Sequence, residues 1–108
     1  MKIKTSELTG TALDGAVAKC EGRHPLAPLW VDDDQYGNHT ERPYSPATDW
    51  AQGGPIIERE KMEFRNKGHY ASYNDGPTFY GETHLIAAMR CYVASKLGDE
   101  IEIPEELT

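Results

Sequence analysis

The segment Thr83-His84-Leu85-Ile86-Ala87-Ala88-Met89-Arg90-Cys91-Tyr92-Val93-Ala94-Ser95-Lys96-Leu97 predicts the element around which the rest of the chain packs. Its apolar residues cover more than half of a helical circumference, which indicates a central helix buried on two sides. Thr83 can cap the first turn, and Gly98 stands where a glycine commonly ends a helix. We therefore predict a buried helix over residues 83–97.

A second helix is predicted near the N-terminus, from Ser6 or Thr9 to about Glu21. Its apolar residues recur at helical spacing, namely Leu8, Ala12, Leu13, Ala16, Val17 and Cys20. Thr5 or Ser6 is expected to cap it, and Gly22 to end it. Strands are predicted at Met1–Lys4, Ile56–Glu60, Lys61–Asn66, His69–Tyr73 and Asp99–Ile103. The expected fold is α+β, with two helices packed on a small, mainly antiparallel sheet and with long ordered loops.

Length and charge limit the classes of function. The 108 residues predict one domain over residues 1–108, with residues 104–108 as a frayed acidic tail. The net charge is −7, and no basic cluster exists to neutralise a row of phosphates, which argues against binding to duplex nucleic acid or to a membrane surface. Cys20 and Cys91 are expected to be buried, reduced thiols. Without a signal peptide or a membrane-length apolar run, the expected location is cytoplasmic.

The common catalytic and metal-binding patterns are absent from the sequence. There is no phosphate-binding glycine loop and no nucleophile in a recognised frame, and no pair of the four histidines has zinc-ligand spacing. The acidic run Asp32–Asp34 resembles the start of a calcium loop, but Tyr36 and Pro43 occupy positions where oxygen ligands are needed. We therefore predict no catalytic residue, no metal and no cofactor, and an enzymatic activity is unsupported.

The best candidate site lies in the loop from Tyr44 to Pro55, at the end of a long segment with little predicted regular structure. Gly53 and Gly54 let a ligand approach the backbone, and Trp50 offers a flat ring for stacking. Arg65 or Arg59, on the strands predicted to follow, can bind a phosphate. A second candidate is the loop Gly76–Gly81, which contains Phe79 and Tyr80 and leads into a helix N-terminus, where anions bind readily. The predicted ligand-binding residues are Tyr44, Ser45, Asp49, Trp50, Gly53, Gly54, Arg65, Phe79 and Tyr80. The structural alternative is that Trp50 anchors the core and Asp49 caps a helix or turn.

Three blocks of sequence resemble a known family. The blocks are Ser6–Gly10 with Ala12-Leu13-Asp14, then Tyr44–Pro46, Asp49-Trp50 and Gly53–Ile57, and finally Leu85–Ser95 with Leu97-Gly98. Together they resemble the NinX-like family of small proteins from tailed phages and prophages of enteric bacteria. The resemblance implies an accessory, non-virion phage protein that acts in the cytoplasm of the bacterial host. It carries over no catalytic residue.

Three functional hypotheses follow. The first is a non-enzymatic binder of a small nucleotide-like ligand, which in a phage would fit sequestration of a host defence signal. The second is an acidic module that inhibits or redirects a host protein, with Asp99–Thr108 facing a basic partner. The third is a small hydrolase. The broad apolar surface of the last helix also favours a homodimer or higher homo-oligomer.

Overall fold

The computed structural model describes residues 2–22, 29–32, 39–42, 44–65, 67, 69–73 and 77–103. Its central element is helix α3, His84–Leu97, which confirms the helix predicted from the sequence. The Thr83 hydroxyl oxygen accepts a hydrogen bond from the Ile86 N–H at 3.1 Å, and Gly98 ends the helix with a φ of 91°. Both faces of α3 are covered, because residues spaced around it, including Ala88 and Val93, are fully buried.

Helix α1, Gly10–Cys20, packs against α3 through a stripe that includes Leu13 and Val17, both 0% exposed. The helix begins later than its predicted cap residues. Thr9 occupies the N-cap position, and Thr5 instead lies in a 3-10 turn, Thr5–Glu7, so the predicted cap at Thr5 or Ser6 is wrong. Gly22 follows the helix with a φ of 74°, in the left-handed region that its predicted role requires.

In the part of the chain that the structure describes, seven strands form three small antiparallel sheets. Their bounds are Lys2–Lys4 (β1), Leu29–Asp32 (β2), His39–Arg42 (β3), Glu63–Arg65 (β4), Tyr70–Ser72 (β5), Phe79–Tyr80 (β6) and Glu100–Glu102 (β7). The β1 strand pairs with β7, β2 with β3, and β5 lies between β4 and β6. Helices packed on antiparallel strands make the fold α+β, as predicted. The β2–β3 pair and β6 lie in segments for which the sequence predicted only loops.

The structure differs most from the predicted elements in the middle of the chain. Residues Trp50–Glu60 form a third helix, α2, so the strand predicted at Ile56–Glu60 is wrong, and so is a loop that continues to Pro55. Ile56 is 3% exposed and points into the core, and Lys61 ends the helix with a φ of 54°. The helix forms despite two glycines and a proline because its cap and its buried face outweigh their low helix propensity.

Two expectations concern the chain ends and the membrane. The predicted frayed tail at residues 104–108 lies outside the described residues, whereas the predicted last strand is present as β7. Within the described part of the chain, none of the helices has the length and apolar character needed to cross a bilayer.

Candidate functional site

The polar residues of the Tyr44–Pro55 segment build the start of α2. The Asp49 carboxylate accepts hydrogen bonds from the Ala51 N–H at 3.0 Å and from the Gln52 side-chain amide at 2.9 Å. Gln52 in turn accepts from the Ser45 N–H at 2.7 Å, which fixes the turn that enters the helix. Asp49 is therefore an N-cap, as the structural alternative proposed, and its carboxylate is already occupied.

The two adjacent glycines have different surroundings. A Cβ at Gly53 would lie 2.2 Å from the Pro46 carbonyl oxygen and 2.7 Å from Leu85 Cδ2. Gly53 therefore allows α2 to pack closely against the preceding turn and α3, which explains this glycine without a ligand. Apart from its neighbours in the chain, a Cβ at Gly54 would meet Trp50 Cε3 at an ordinary 3.5 Å. Packing against other elements therefore does not require the second glycine.

Trp50 lies at the surface, and the alternative in which it anchors the core is wrong. The residue is 56% exposed, and its ring centroid lies 6.2 Å from that of His84. The His84 ring centroid also lies 5.5 Å from that of Phe64. Trp50, Phe64 and His84 form what we call the tryptophan cluster, where α2 and α3 both begin. Tyr44, by contrast, is half-buried and packs against the core.

A second aromatic group covers the outer face of the three-stranded sheet. The register pairs Arg65 with Tyr70, and Tyr70 with Tyr80, so the three side chains form one row on one face. Tyr80 is 51% exposed, and the His69 ring stacks on it with centroids 6.1 Å apart and an interplanar angle of 20°. Tyr70 meets Tyr80 edge-on at 5.5 Å. We call Arg65, His69, Tyr70 and Tyr80 the tyrosine ledge.

Backbone contacts hold the tyrosine ledge in place. His69 Nδ1 lies 3.1 Å from the Gly81 carbonyl oxygen, so this nitrogen must carry a proton to donate. The Arg90 guanidinium donates to the Tyr80 carbonyl at 2.7 Å and to the Leu8 carbonyl at 2.7 Å. Partial burial lowers the pKa of Arg90, but a guanidinium keeps its charge at neutral pH. The ledge is thus fixed in orientation and lies beside a positive charge.

Local charge distinguishes the two aromatic groups. The tyrosine ledge contains Arg65 and has the exposed Lys67 in the adjoining turn. The tryptophan cluster has the capping carboxylate of Asp49 next to Trp50 and no cation in it. The ledge therefore presents an arginine and a nearby lysine to solvent, with the exposed Glu63 on the same face of β4, whereas the three residues of the cluster include neither kind of cation.

The predicted site residues thus do not converge on one place. Arg65 and Tyr80 come together on the tyrosine ledge, and Trp50 and Gly54 lie next to each other in α2. Phe79 points to the opposite face of its strand from Tyr80, because successive strand residues alternate. It packs half-buried against the core. The remaining predicted residues serve the cap and the packing described above.

Sequence analysis did not identify a polar network at the opposite ends of the helices. Arg59 donates to both carboxylate oxygens of Glu21, at 3.0 and 2.8 Å, and to the Tyr92 hydroxyl at 3.0 Å. The Tyr92 hydroxyl donates to Glu21, and the Tyr73 hydroxyl donates to Glu60 at 3.1 Å. We call these five residues the Glu21 network. Its members pair with one another, so the network closes the fold and presents no free group for chemistry.

The pKa shifts of these groups also agree with a structural role for the Glu21 network. The hydrogen bonds from Arg59 lower the pKa of Glu21, and burial raises the pKa of Tyr92. Burial also raises the pKa of Cys20 and of Cys91 to about 11, so both free thiols are protonated at neutral pH. Across the described residues, no three histidine, cysteine or acidic side chains are grouped so that they could hold a metal ion.

One family model matches most of the chain. The family model described as "Bacteriophage P22, NinX" matches residues 4–96, which include α1, α2, all but the last residue of α3, and the whole tyrosine ledge. No curated protein matches the chain. Because the matched region covers most of the sequence, the chain belongs to the NinX family of bacteriophage P22.

Proposed function

We propose that this phage accessory protein binds a small nucleotide-like anion at the tyrosine ledge and does not turn it over. The proposal rests on one observation, the row of Arg65, Tyr70 and Tyr80 on the outer sheet face, with the His69 ring stacked on the half-exposed Tyr80. This row places aromatic faces and a guanidinium on one surface. A base and a phosphate joined by a sugar require that combination.

The expected binding energy comes from two contacts. Stacking of a base on an aromatic side chain contributes about 1–3 kcal/mol, and an arginine can bind a phosphate through two hydrogen bonds. Arg65 is exposed at the end of its strand, and Lys67 follows it in the turn, so both can reach an anion from solvent. Tyr80 is fixed by the Arg90 contact to its carbonyl, which limits the entropy lost on binding.

Absence of turnover is the second part of the proposal. The two cysteine thiols are protonated at neutral pH, and the carboxylate of Glu21 is bound by Arg59. Neither kind of group is therefore activated as a nucleophile or base, and within the ledge His69 carries the imidazole that could accept a proton. In an infected cell, a binder that does not consume its ligand would lower the free concentration of that ligand. Sequestration of a nucleotide signal used in host defence fits this behaviour and the membership of a phage family.

A ligand panel tests the binding. Mononucleotides, cyclic mononucleotides and cyclic dinucleotides are screened by thermal shift, and any ligand that raises the Tm is titrated by calorimetry. We expect Tyr80→Ala and Arg65→Gln each to weaken binding by about tenfold or more. Lys19→Gln, which removes an exposed cation from the end of α1, is the matched control and should leave the Kd unchanged. A panel without any stabilising nucleotide would refute the proposal.

The same samples separate binding from hydrolysis. Protein loaded with the ligand is denatured after prolonged incubation, and the released small molecule is identified by mass spectrometry. Recovery of the intact ligand agrees with sequestration. Recovery of a cleaved product would instead establish the small hydrolase.

The tryptophan cluster provides an internal comparison. Trp50 and Gly54 were predicted as ligand-binding residues, and the exposed ring beside a glycine is compatible with stacking. Because Trp50, Phe64 and His84 include no lysine or arginine and Trp50 directly follows the Asp49 carboxylate, we propose the ledge as the anion site. Trp50→Ala should therefore leave nucleotide affinity within about twofold of wild type. A large loss in that variant, with Tyr80→Ala unaffected, would move the site to the cluster.

The acidic interaction module has weaker support. Of the acids predicted to face a basic partner, Glu100 lies opposite Lys4 and Glu102 lies opposite Lys2 in the β1–β7 pair. These cross-strand lysines offset part of the local negative charge. Capture of a specific host protein by wild type, lost on deletion of residues 104–108, would favour this alternative over nucleotide binding.

A further inference from the structure

Two adjoining clefts lie on the side of the molecule away from the tyrosine ledge. The inner cleft, about 120 Å³, runs between α3 and the sheet and is lined by Phe79, Cys91 and Ala94 among others. The outer cleft, about 430 Å³, opens beside Lys4 and the β1–β7 pair. Phe79 and Asp99 line both clefts, so the two clefts adjoin at these residues and are treated as one site.

The inner cleft presents an apolar wall even though Tyr73, Cys91 and Ser95, besides Asp99, carry polar groups. The Tyr73 hydroxyl donates to Glu60 at 3.1 Å, and the Ser95 hydroxyl donates to the Tyr92 carbonyl at 2.7 Å. The Cys91 thiol is neutral, because burial raises its pKa to about 11. These groups are already satisfied or weakly polar, so the inner cleft favours an apolar group.

Asp99 supplies an unpaired negative charge where the two clefts meet. Its carbonyl oxygen accepts hydrogen bonds from the Thr5 N–H at 2.8 Å and from the Thr5 hydroxyl at 3.1 Å, which fixes the residue. No residue that the structure describes gives the Asp99 carboxylate a hydrogen bond or an ion pair. The nearest cation of the outer cleft, Lys4, stands opposite Glu100 in the strand register.

We propose that this site binds a small organic cation, with a compact apolar ring in the inner cleft and an ammonium group at the Asp99 carboxylate. A cavity on the order of 150 Å³ holds a benzene-sized molecule, so the inner cleft matches a single ring in size. The negative charge of Asp99 attracts a cation and disfavours the kind of anion proposed for the tyrosine ledge. The two sites therefore differ in position and in ligand charge, and each can fail without the other.

Three probes separate the contribution of the aromatic ring to binding from that of the positive charge. Benzylamine carries both, benzyl alcohol carries the ring alone, and methylamine carries the cation alone. Each is titrated into ¹⁵N-labelled protein, and shifts are followed at the amides of residues 91–95 and 99, with Gly53 and Gly54 as remote references. We expect benzylamine to shift the first group at millimolar concentration and to bind about tenfold more tightly than either partial probe.

Two variants test the assigned roles. Asp99→Asn should weaken benzylamine binding to the level of benzyl alcohol, and Glu58→Gln, which removes the same charge from the exposed face of α2, should have no effect. Ala94→Leu should fill the inner cleft and abolish binding of both ring probes. If Ala94→Leu does not fold, the probe series and Asp99→Asn still decide the matter. Equal affinity for benzylamine and benzyl alcohol, or unchanged benzylamine affinity in Asp99→Asn, would overturn the proposal.

Discussion

Arg59 holds Glu21 through both of its terminal nitrogens, with Nη1 3.0 Å from Oε1 and Nη2 2.8 Å from Oε2. The pair joins the end of α2 to the residue that follows α1. The Tyr92 hydroxyl of α3 bonds to both partners, so one three-residue contact connects all three helices. The Glu21 side chain is 19% exposed, and that of Arg59 is 51% exposed, so the pair is only partly shielded from water.

Glu21→Gln should destabilise the protein by about 1–2 kcal/mol. The amide retains one acceptor for Arg59 but loses the charge and the paired geometry, and exposure of Arg59 keeps the loss moderate. Urea denaturation at neutral pH measures the change. Glu58→Gln, an exposed acid in α2, is the control and should change stability by less than about 0.5 kcal/mol. Equal effects in the two variants would show that the Glu21 network contributes nothing.

The contribution of Glu21 should also depend on pH. Hydrogen bonds from Arg59 lower the pKa of Glu21 by more than its partial burial raises it. The folded protein therefore binds this proton less tightly than the unfolded chain, whose glutamate titrates near about 4.3. The stabilisation is present above that pH and is lost as the pH falls through the lower folded pKa. The difference in unfolding free energy between wild type and Glu21→Gln should therefore shrink from pH 6 to pH 3, and a constant difference would contradict this assignment.

Local sequence patterns predicted the elements whose stability is largely local. The apolar spacing of α1 and α3 gave both helices within a few residues, and the alternation around Phe64 gave β4. The cap at Thr83 and the glycines at both helix ends were also predictable, because each acts within one turn. Elements with a clear hydrophobic period could therefore be predicted without knowledge of tertiary contacts.

The features that were missed depend on residues distant in the sequence. Helix α2 contains Gly53, Gly54 and Pro55, which read as a loop, and only the packing against Leu85 explains the first glycine. Tyr70 became a candidate only when the strand register placed it between Arg65 and Tyr80. The Glu21 network likewise joins three elements that no spacing rule connects.

Gly53→Ala should destabilise the protein much more than Gly54→Ala. The new methyl group at position 53 would lie 2.2 Å from the Pro46 carbonyl oxygen, a backbone atom that can move only with its turn. We expect a loss of about 2 kcal/mol or more. At position 54 the methyl would make one ordinary contact with Trp50. The higher helix propensity of alanine is opposed by Pro55, which disfavours the helical conformation for a preceding residue with a Cβ, so we expect a change of less than about 1 kcal/mol.

Thermal and urea denaturation of the two variants, each differing from wild type by one methyl group, provide the comparison. Their far-UV circular dichroism should show that both remain folded at low temperature. Similar destabilisation of both variants would indicate a general cost of altering α2. A stable Gly53→Ala would show that α2 does not lie as close to the Pro46 turn as described.

Variants of Asp14 should separate the contribution of its hydrogen bond to stability from the cost of its partly buried charge. Its Oδ1 accepts from the Ala47 N–H at 2.9 Å, which ties α1 to the turn before α2. Burial raises the pKa of Asp14, and the hydrogen bond only partly offsets that rise. Asp14→Ala should lose about 1–3 kcal/mol, because the Ala47 N–H loses its acceptor. Asp14→Asn keeps an acceptor oxygen and removes the cost of a buried charge.

The sign of the pH dependence follows from the raised pKa. The folded protein binds the Asp14 proton more tightly than the unfolded chain does, so wild type loses stability as the pH rises through the interval above about 3.9. Asp14→Asn has no such proton, and its stability relative to wild type should therefore increase from pH 3 to pH 7. Urea denaturation at several pH values measures this difference. A decrease over the same interval would mean that the ionised carboxylate stabilises the fold, and that its bond to Ala47 outweighs the cost of burying it.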